Sequence, residues 1–359
     1  MSGASAELPL TLSPGDRVAV TGAAGFIGSA IVRELLAREA SVVALVAPGE
    51  DEANLEGLEL DTETVDVRDR RDVRAAVEGA RVVFHAAALF RFWAKEPNVF
   101  YDVNVQGTRN VVEAAVEAGC QKVVYTSTVA TIGLRPGSAN PSDERVHAHI
   151  DHLFGNYKQT KYVAEHEVLR LAAEGAPVSL VHPTFPLGPR DIRPTPTGKV
   201  LLDFLNGRMP GFVDTAMNVA HVEDLAHGHL LVLEQGRRGR GYILGGENLS
   251  MRALLQSAAA LTGLPAPGRQ WPGVVGLGVG HLSDLIEGRL LRREPHVPLE
   301  AARMSRQHMV FDDARARTEL GYRSRPATEA IADSARWFVD HGYVRPERAK
   351  RITWAEPAD

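Results

Sequence analysis

Thr21-Gly22-Ala23-Ala24-Gly25-Phe26-Ile27-Gly28 is the stretch that decides the fold. Before it, Arg17-Val18-Ala19-Val20 is a short apolar run of strand character. After it, Ile27, Ile31, Leu35 and Leu36 recur at the spacing of one helix face. A glycine-rich turn between a buried strand and a helix lets backbone come close to a pyrophosphate. The helix start adds unpaired amides and the positive end of its dipole. The spacing is G-x-x-G-x-x-G, not the commoner G-x-G-x-x-G, and three glycines alone would also suit a plain tight turn. Their position after the first strand favours dinucleotide binding, with Gly22, Gly25, Phe26, Ile27 and Gly28 as the contacts.

Outward from this turn, apolar runs at 41–46, 64–66, 81–85, 122–127 and 178–182 alternate with helical patterns at 69–78, 99–118 and 156–174. Unbroken apolar strands alternating with helices predict a parallel sheet covered on both faces. The fold class expected is therefore α/β, a Rossmann-like doubly wound parallel sheet. The rhythm fails after Pro183, where Pro186, Pro189, Pro194 and Pro196 oppose regular helix. Helical patterns resume at 223–234, 252–261, 274–291 and 327–341, with one strand near 242–244. The expected organisation is a flexible extension at 1–14 and a dinucleotide-binding domain at 15–186 with later returns near 218–246. A smaller, mainly helical substrate lobe takes 187–217 and 247–345, and a tail takes 346–359.

Bulk properties narrow the function classes. Of 359 residues, 44% are hydrophobic and 24% charged, which excludes a disordered chain. A formal charge of −5 gives no electrostatic reason to expect nucleic acid as partner. Cys120 is the one cysteine, so no internal disulfide forms and no oxidising compartment is required. The first residues lack the cationic start of a signal peptide. The apolar stretch 271–286 is interrupted by His281, Ser283 and Asp284, and is too short and polar to span a bilayer. The expectation is a cytoplasmic protein with a small-molecule substrate and no integral membrane segment.

Tyr157-Lys158-Gln159-Thr160-Lys161 sets a phenol and an ammonium four residues apart, on one helix face. A free tyrosine titrates near about 10, and a neighbouring lysine charge lowers that value, which would make the phenol a usable acid/base. Alone the pair would be a solvated helix face. Together with the glycine turn and Thr126-Ser127-Thr128, it points to catalysis.

These motifs resemble the extended branch of the short-chain dehydrogenase/reductase superfamily, the NAD-dependent epimerase/dehydratase family. The resemblance runs from Arg17 to about His341. It is also carried by Asp66-Val67-Arg68, by Ala86-Ala87-Ala88 and by Asn104-Val105-Gln106-Gly107-Thr108. It implies adenine contacts at Asp66 and Val67, cofactor contacts at Ala86, Ala87 and Pro183, and a hold on the nicotinamide ribose by Lys161. It further implies a catalytic triad of Thr128, Tyr157 and Lys161, with Ser127 as second choice for the hydroxyl. The reaction implied is hydride transfer between a nicotinamide and a carbinol or carbonyl carbon. Members often form homodimers through the helices that here carry Asn104 and Tyr157.

Cofactor choice is read after the second strand, at Leu45-Val46-Ala47-Pro48-Gly49-Glu50-Asp51. The resemblance places arginine at the Ala47 position in relatives that use NADP. Glu50 and Asp51 would repel a 2′-phosphate, although Arg68 could substitute for the missing arginine. NAD(H) is favoured, with NADP(H) as the alternative.

Within that family the chain resembles dihydroflavonol-4-reductase-like proteins and hopanoid-associated sugar epimerases. It rests on the run Tyr125 to Pro136, on Pro194-Thr195-Pro196-Thr197-Gly198-Lys199, and on Tyr242-Ile243-Leu244-Gly245-Gly246-Glu247-Asn248. Nucleotide-sugar epimerases carry an arginine four residues before a motif that here reads His221-Val222-Glu223-Asp224. This chain has Met217 there, so a charge-assisted clamp for a diphosphate is missing. Phe90, Phe92, Trp93, Phe185, Met209, Phe212 and Met217 are the candidate walls of an apolar pocket, although each alone is more often core. The function expected is an NAD(P)H-dependent oxidoreductase acting on the ketone or alcohol of an apolar substrate, polycyclic or another secondary metabolite. The alternatives are an NAD-dependent sugar epimerase/dehydratase and a non-catalytic dinucleotide-binding regulator. The intact Thr128, Tyr157 and Lys161 set speaks against the regulator. No metal is expected: His147, His149, Asp151 and His152 read as a polar loop. His182 fits a core role as well as a cofactor contact.

Overall fold

The computed structural model describes residues 9–135 and 140–355. Residues 1–8 of the extension, Pro136 and residues 356–359 of the tail lie outside the described residues. The strands in chain order begin with β1 (Arg17–Thr21), β2 (Ser41–Val46), β3 (Asp61–Thr64), β4 (Val82–His85), β5 (Lys122–Thr126) and β6 (Val178–Pro183). Then come β7 (Phe185–Leu187), β8 (Phe212–Val213), β9 (Ala216–His221), β10 (Gly241–Leu244), β11 (Glu247–Ser250), β12 (Gln270–Trp271) and β13 (His308–Met309).

Seven strands form one parallel sheet in the order β10-β6-β5-β4-β1-β2-β3. The order reverses between β1 and β4, which opens a crevice at their carboxyl ends. The strands are continuous apolar runs because both faces are covered. Val18, Val20 and Phe84 pack with Ile31, Leu35, Leu230 and Leu233 on one side. Ala19, Val43, Val83, Val123 and Tyr125 pack with Val111 and Val168 on the other.

The helices of this half are α1 (Phe26–Leu36), α2 (Arg70–Ala76), α3 (Asn98–Tyr101), α4 (Thr108–Glu117) and α5 (Asn156–Ala173). Between α3 and α4 the chain takes a wider π-helical turn at Asp102–Gly107. The helix expected at 99–118 is thus in three pieces. Gly107 explains part of this, because a Cβ there would lie 2.7 Å from Val67. Thr108 also bonds back to the Asn104 carbonyl at 2.7 Å, and such wide turns are frequent at functional sites. The third strand ends at Thr64, not Asp66, and Val65 and Val67 then turn into the core.

The second lobe is built on α6 (Pro196–Leu205), α7 (Val222–Gln235, which returns to the sheet), α8 (Met251–Thr262), α9 (Gly273–Ser283) and α10 (Leu299–Met304). α11 (Ala314–Leu320), α12 (Ala327–Asp340) and α13 (Pro346–Ala349) complete the described helices. α6 lies where prolines were expected to prevent helix. Pro196 occupies its first turn, where a missing amide costs nothing, and the Thr195 hydroxyl accepts from Gly198 N. The lobe also holds a small sheet, β11-β9-β13 with β7 beside β9. Its core is Leu201, Phe204, Leu205, Leu254, Leu255, Ile331 and Phe338.

Two expectations about the ends change. Leu10 and Leu12 pack against the main core and Leu10 N bonds to Glu234 O at 3.0 Å, so the described part of the extension is tied down. In the tail, Thr353 N bonds to Thr262 O at 2.9 Å and Ala355 N to Leu261 O at 3.0 Å. Among the described residues no helix is long and apolar enough to cross a membrane.

Candidate active site

A cleft of about 1110 Å³ runs along the carboxyl ends of β1, β2, β4, β5 and β6 and is closed by the second lobe. Gly22, Gly25, Phe26, Ile27 and Gly28 line one wall. Gly22 has φ +65°, and a Cβ there would stand 2.8 Å from the Ala87 backbone. A Cβ on Gly28 would stand 2.0 Å from the Gly22 carbonyl oxygen. The turn is therefore as tight as backbone allows. Gly25 precedes α1 without a side-chain cap, so the first helical amides are left for a ligand. Thr184, which also lines the cleft, has a buried hydroxyl with no partner. A cradle closed to side chains, an uncapped helix start and an orphaned hydroxyl fit a dinucleotide.

Ala47, Pro48, Gly49, Glu50, Asp51, Asp66, Val67 and Arg68 line the far end. Asn110 fixes this end by donating to the carbonyls of Val67 and Arg68 at 3.0 Å each. Arg68 is already engaged: its Nε reaches Asp66 at 2.9 and 3.0 Å. That hydrogen bond holds the Asp66 carboxyl below the usual range.

The candidate catalytic side chains sit on the inner face of α5, where Tyr157, Lys161 and Glu165 are one turn apart. Tyr157 is buried, its ring 4.8 Å from that of Phe90, with the Thr128 hydroxyl close enough to act on its phenol. Thr128 is extended (φ −164°) and its Oγ1 also accepts from Ala130 N at 3.2 Å. Ser127 also lines the cleft, but its hydroxyl is spent on Glu165, donating to Oε2 at 2.5 Å. Lys161 Nζ donates to the Tyr125 hydroxyl and to the Thr126 carbonyl, both at 2.8 Å. Tyr125 stacks on His85, which bonds Thr21 at 2.7 Å and Thr108 at 2.9 Å.

Burial dominates the protonation states. It pushes the Tyr157 phenol up, with the neighbouring Thr128 hydroxyl acting in the opposite sense. It pulls Lys161 down to about 7, partly countered by the charge of Glu165. The simple expectation that the lysine lowers the tyrosine is thus corrected: in the protein alone Lys161 spends its hydrogen bonds on Tyr125 and Thr126. Burial would raise Glu165, but the His182 charge and the bonds from His182, Ser127 and Thr131 bring it to about 2. The Thr131 and His182 contacts are 2.7 and 3.0 Å. His182 serves this buried carboxylate and does not line the cleft.

Ala86, Ala87, Lys161 and Pro183 line the cleft, as do Phe90, Phe92 and Met209. Trp93, Phe185, Phe212 and Met217 do not. Phe212 and Met217 are buried in the second-lobe core and Phe185 packs against it; the strands β7, β8 and β9 turn these side chains inward. Trp93 instead neighbours Gly288, whose Cβ would lie 3.3 Å from the indole nitrogen. No histidine, cysteine and carboxylate cluster suited to a metal occurs among the described residues. His149 and Asp151 form an exposed pair at 3.3 Å.

One contact was not anticipated. Glu300 on α10 places its carboxyl against Gly155, whose Cβ would fall 1.9 Å from an oxygen, at the start of α5, which has no side-chain cap of its own. Lys158 Nζ donates to Gln307 at 2.9 Å. Burial pulls Lys158 down to about 8 and pushes Glu300 up to about 8 against their mutual attraction.

Comparison with known proteins agrees with this geometry. The model of the NAD dependent epimerase/dehydratase family matches residues 18–245. A Synechocystis protein named as a dihydroflavonol 4-reductase is 40% identical over 91% of this chain and 96% of its own length. Sterol demethylase protein B of Methylococcus capsulatus is 35% identical over 90% of this chain and 99% of its own. The crystal structure of gox2253 superposes with TM-score 0.82 at 40% identity, covering 92% of this chain and 100% of that one. Further relatives are named as a ketoreductase and a sterol-4-alpha-carboxylate 3-dehydrogenase. With its Rossmann-like sheet and nicotinamide cofactor, the chain belongs to the NAD-dependent epimerase/dehydratase family, the extended branch of the short-chain dehydrogenases/reductases, and is an NAD(P)-dependent oxidoreductase.

Proposed function

We propose that this enzyme interconverts a ketone and a secondary alcohol on an apolar, polycyclic substrate, with NAD(H) as cofactor and Thr128, Tyr157 and Lys161 as its catalytic residues. The observation that carries the reading is the Tyr157–Thr128 hydroxyl pair facing an apolar wall of Phe90, Phe92 and Met209. When bound, the nicotinamide supplies or accepts the hydride. In the reducing direction the Tyr157 hydroxyl gives its proton to the developing alkoxide. Thr128 donates a hydrogen bond to the same oxygen and orients it. Lys161, poised near neutrality by burial, holds the ribose and replenishes the Tyr157 proton. Glu165 sustains the charge on Lys161 and ties Ser127, leaving Thr128 as the free hydroxyl.

For NAD(H), support comes from Ala47, the nearby Glu50 and Asp51, and an Arg68 already held by Asp66. The names of the flavonol and sterol relatives are consistent with a fused-ring substrate. A cytoplasmic setting fits the lone, buried thiol of Cys120. A homodimer through the helical stretch 98–117, which carries Asn104, and α5 is supported by the exposed Tyr101 and Val116 on that stretch.

Arg193 and Lys199 also line the cleft and favour a second reading, a nucleotide-sugar epimerase. Lys199 already faces Glu294 at 3.9 Å, and the Met217 position is core. The test is a panel of polycyclic ketones followed by NADH absorbance, with UDP titrated in parallel. NADH consumption and no UDP binding are expected; tight UDP binding without ketone turnover would overturn the reading.

A further inference from the structure

We infer that the segment 274–291 is a peripheral membrane-docking face that seats the mouth of the cleft on an anionic lipid surface. Of the thirteen exposed large hydrophobic residues among those described, eight lie in this segment. Leu290 is 76% exposed, Val274 65%, and Leu282 and Leu285 58% each. One short segment thus concentrates an apolar patch that a lone molecule would leave in water. α9 has eleven residues, about 16 Å of helix, enough to lie in an interface and far too short to cross one.

Charge selects the occupant. No aspartate or glutamate occurs between Glu247 and Asp284, a stretch that carries Arg252 and Arg269. Arg289, Arg292 and Arg293 then stand beside the exposed Leu290 and Leu291. The acids within reach are recessed: the Arg289 side chain is 76% exposed against 25% for its partner Asp284, and Arg293 59% against 12% for Glu287. The outermost charges at this apolar edge are therefore mostly guanidinium groups, with Glu294, facing Lys199, the exposed exception. Cations around protruding aliphatic side chains match anionic lipid headgroups over acyl chains.

The face also adjoins the site. Pro295, His296, Pro298 and Ala301 follow it and line the cleft, and Glu300 locks the same segment to the start of the Tyr157 helix. A substrate that partitions into a bilayer would meet the cleft without passing through bulk water. Docking rests on the surface alone; its use for delivery rests on the substrate class proposed above.

The test is flotation of the full chain with vesicles of phosphatidylcholine containing about a third phosphatidylglycerol, and with pure phosphatidylcholine. The expected result is recovery with the anionic vesicles at least about tenfold above the neutral ones. The triple variant L282S/L285S/L290S should lose that recovery, and R289Q/R292Q/R293Q should lose the preference for anionic lipid. Both should keep the wild-type circular-dichroism melt. Wild-type protein that fails to float would overturn the inference. So would a lipid-free dimer, seen by sedimentation, that the leucine variant dissolves, since a second copy would then cover the face. Failure of the substrate reading is separable: flotation would persist with no turnover of any polycyclic ketone.

Discussion

The two walls of the cleft are made differently. On the dinucleotide side the wall is backbone: Gly22 and Gly28 approach other main-chain atoms so closely that no side chain fits. On the substrate side the wall is a choice of side chains, Phe90, Phe92 and Met209, drawn from a larger apolar set that also fills the second-lobe core. A backbone wall tolerates one residue type and leaves a fixed mark in the sequence. A side-chain wall needs only bulk and apolarity, so cleft and core positions read alike until the strands show which way each residue points.

That contrast can be broken most severely at the backbone wall. Gly28→Val should abolish dinucleotide binding by NADH fluorescence titration, a loss of at least about a hundredfold, because the side chain meets the Gly22 carbonyl. Retained affinity would mean the turn does not form the cradle.

Next in size is the buried carboxylate behind the Tyr157 helix. Glu165→Gln removes the charge that raises Lys161, so the lysine should titrate below its present value of about 7. The alkaline limb of the kcat/KM profile, where Lys161 loses its proton, should move to lower pH, and kcat should fall about tenfold. An unmoved profile would reduce Glu165 to packing alone.

The apolar residues give the sharpest split. Phe90→Ala should raise KM for a hydrophobic ketone about tenfold with little loss of stability. Phe212→Ala should do the reverse, costing roughly 3 kcal/mol in denaturant unfolding and leaving KM unchanged. The same pattern from both would erase the distinction between wall and core.

The smallest effect belongs to the buried Glu300 carboxyl beside Gly155. The folded protein raises Glu300 to about 8, so the proton stabilises the fold. That contribution is complete below about 4.5 and is lost as pH rises through about 8. Lys158, lowered to about 8, acts in the opposite sense at higher pH. Thermal midpoints should therefore fall by a few degrees between pH 5 and 8, and Glu300→Gln should flatten that slope.

The sequence made local devices legible. The glycine turn, the buried strands and the Tyr157–Lys161 pair each lie within a few residues, and local spacing determines their geometry. What it hid depends on distant partners. Glu165 reads as one more helix acid until Ser127, Thr131 and His182 converge on it. Tyr125 is apolar strand filling until Lys161 arrives from 36 residues away. Glu300 reaches Gly155 across 145 positions, a meeting that no local spacing in either segment encodes. α6 was hidden for another reason: Pro196 was read as a breaker when it is a first-turn residue.

The most direct test of the account is Tyr157→Phe, assayed for NADH affinity and for single-turnover oxidation of bound NADH by a polycyclic ketone. The account predicts affinity within threefold of wild type and a rate lower by roughly a thousandfold or more, the loss of the proton donor alone. Hydride transfer at the wild-type rate would contradict it.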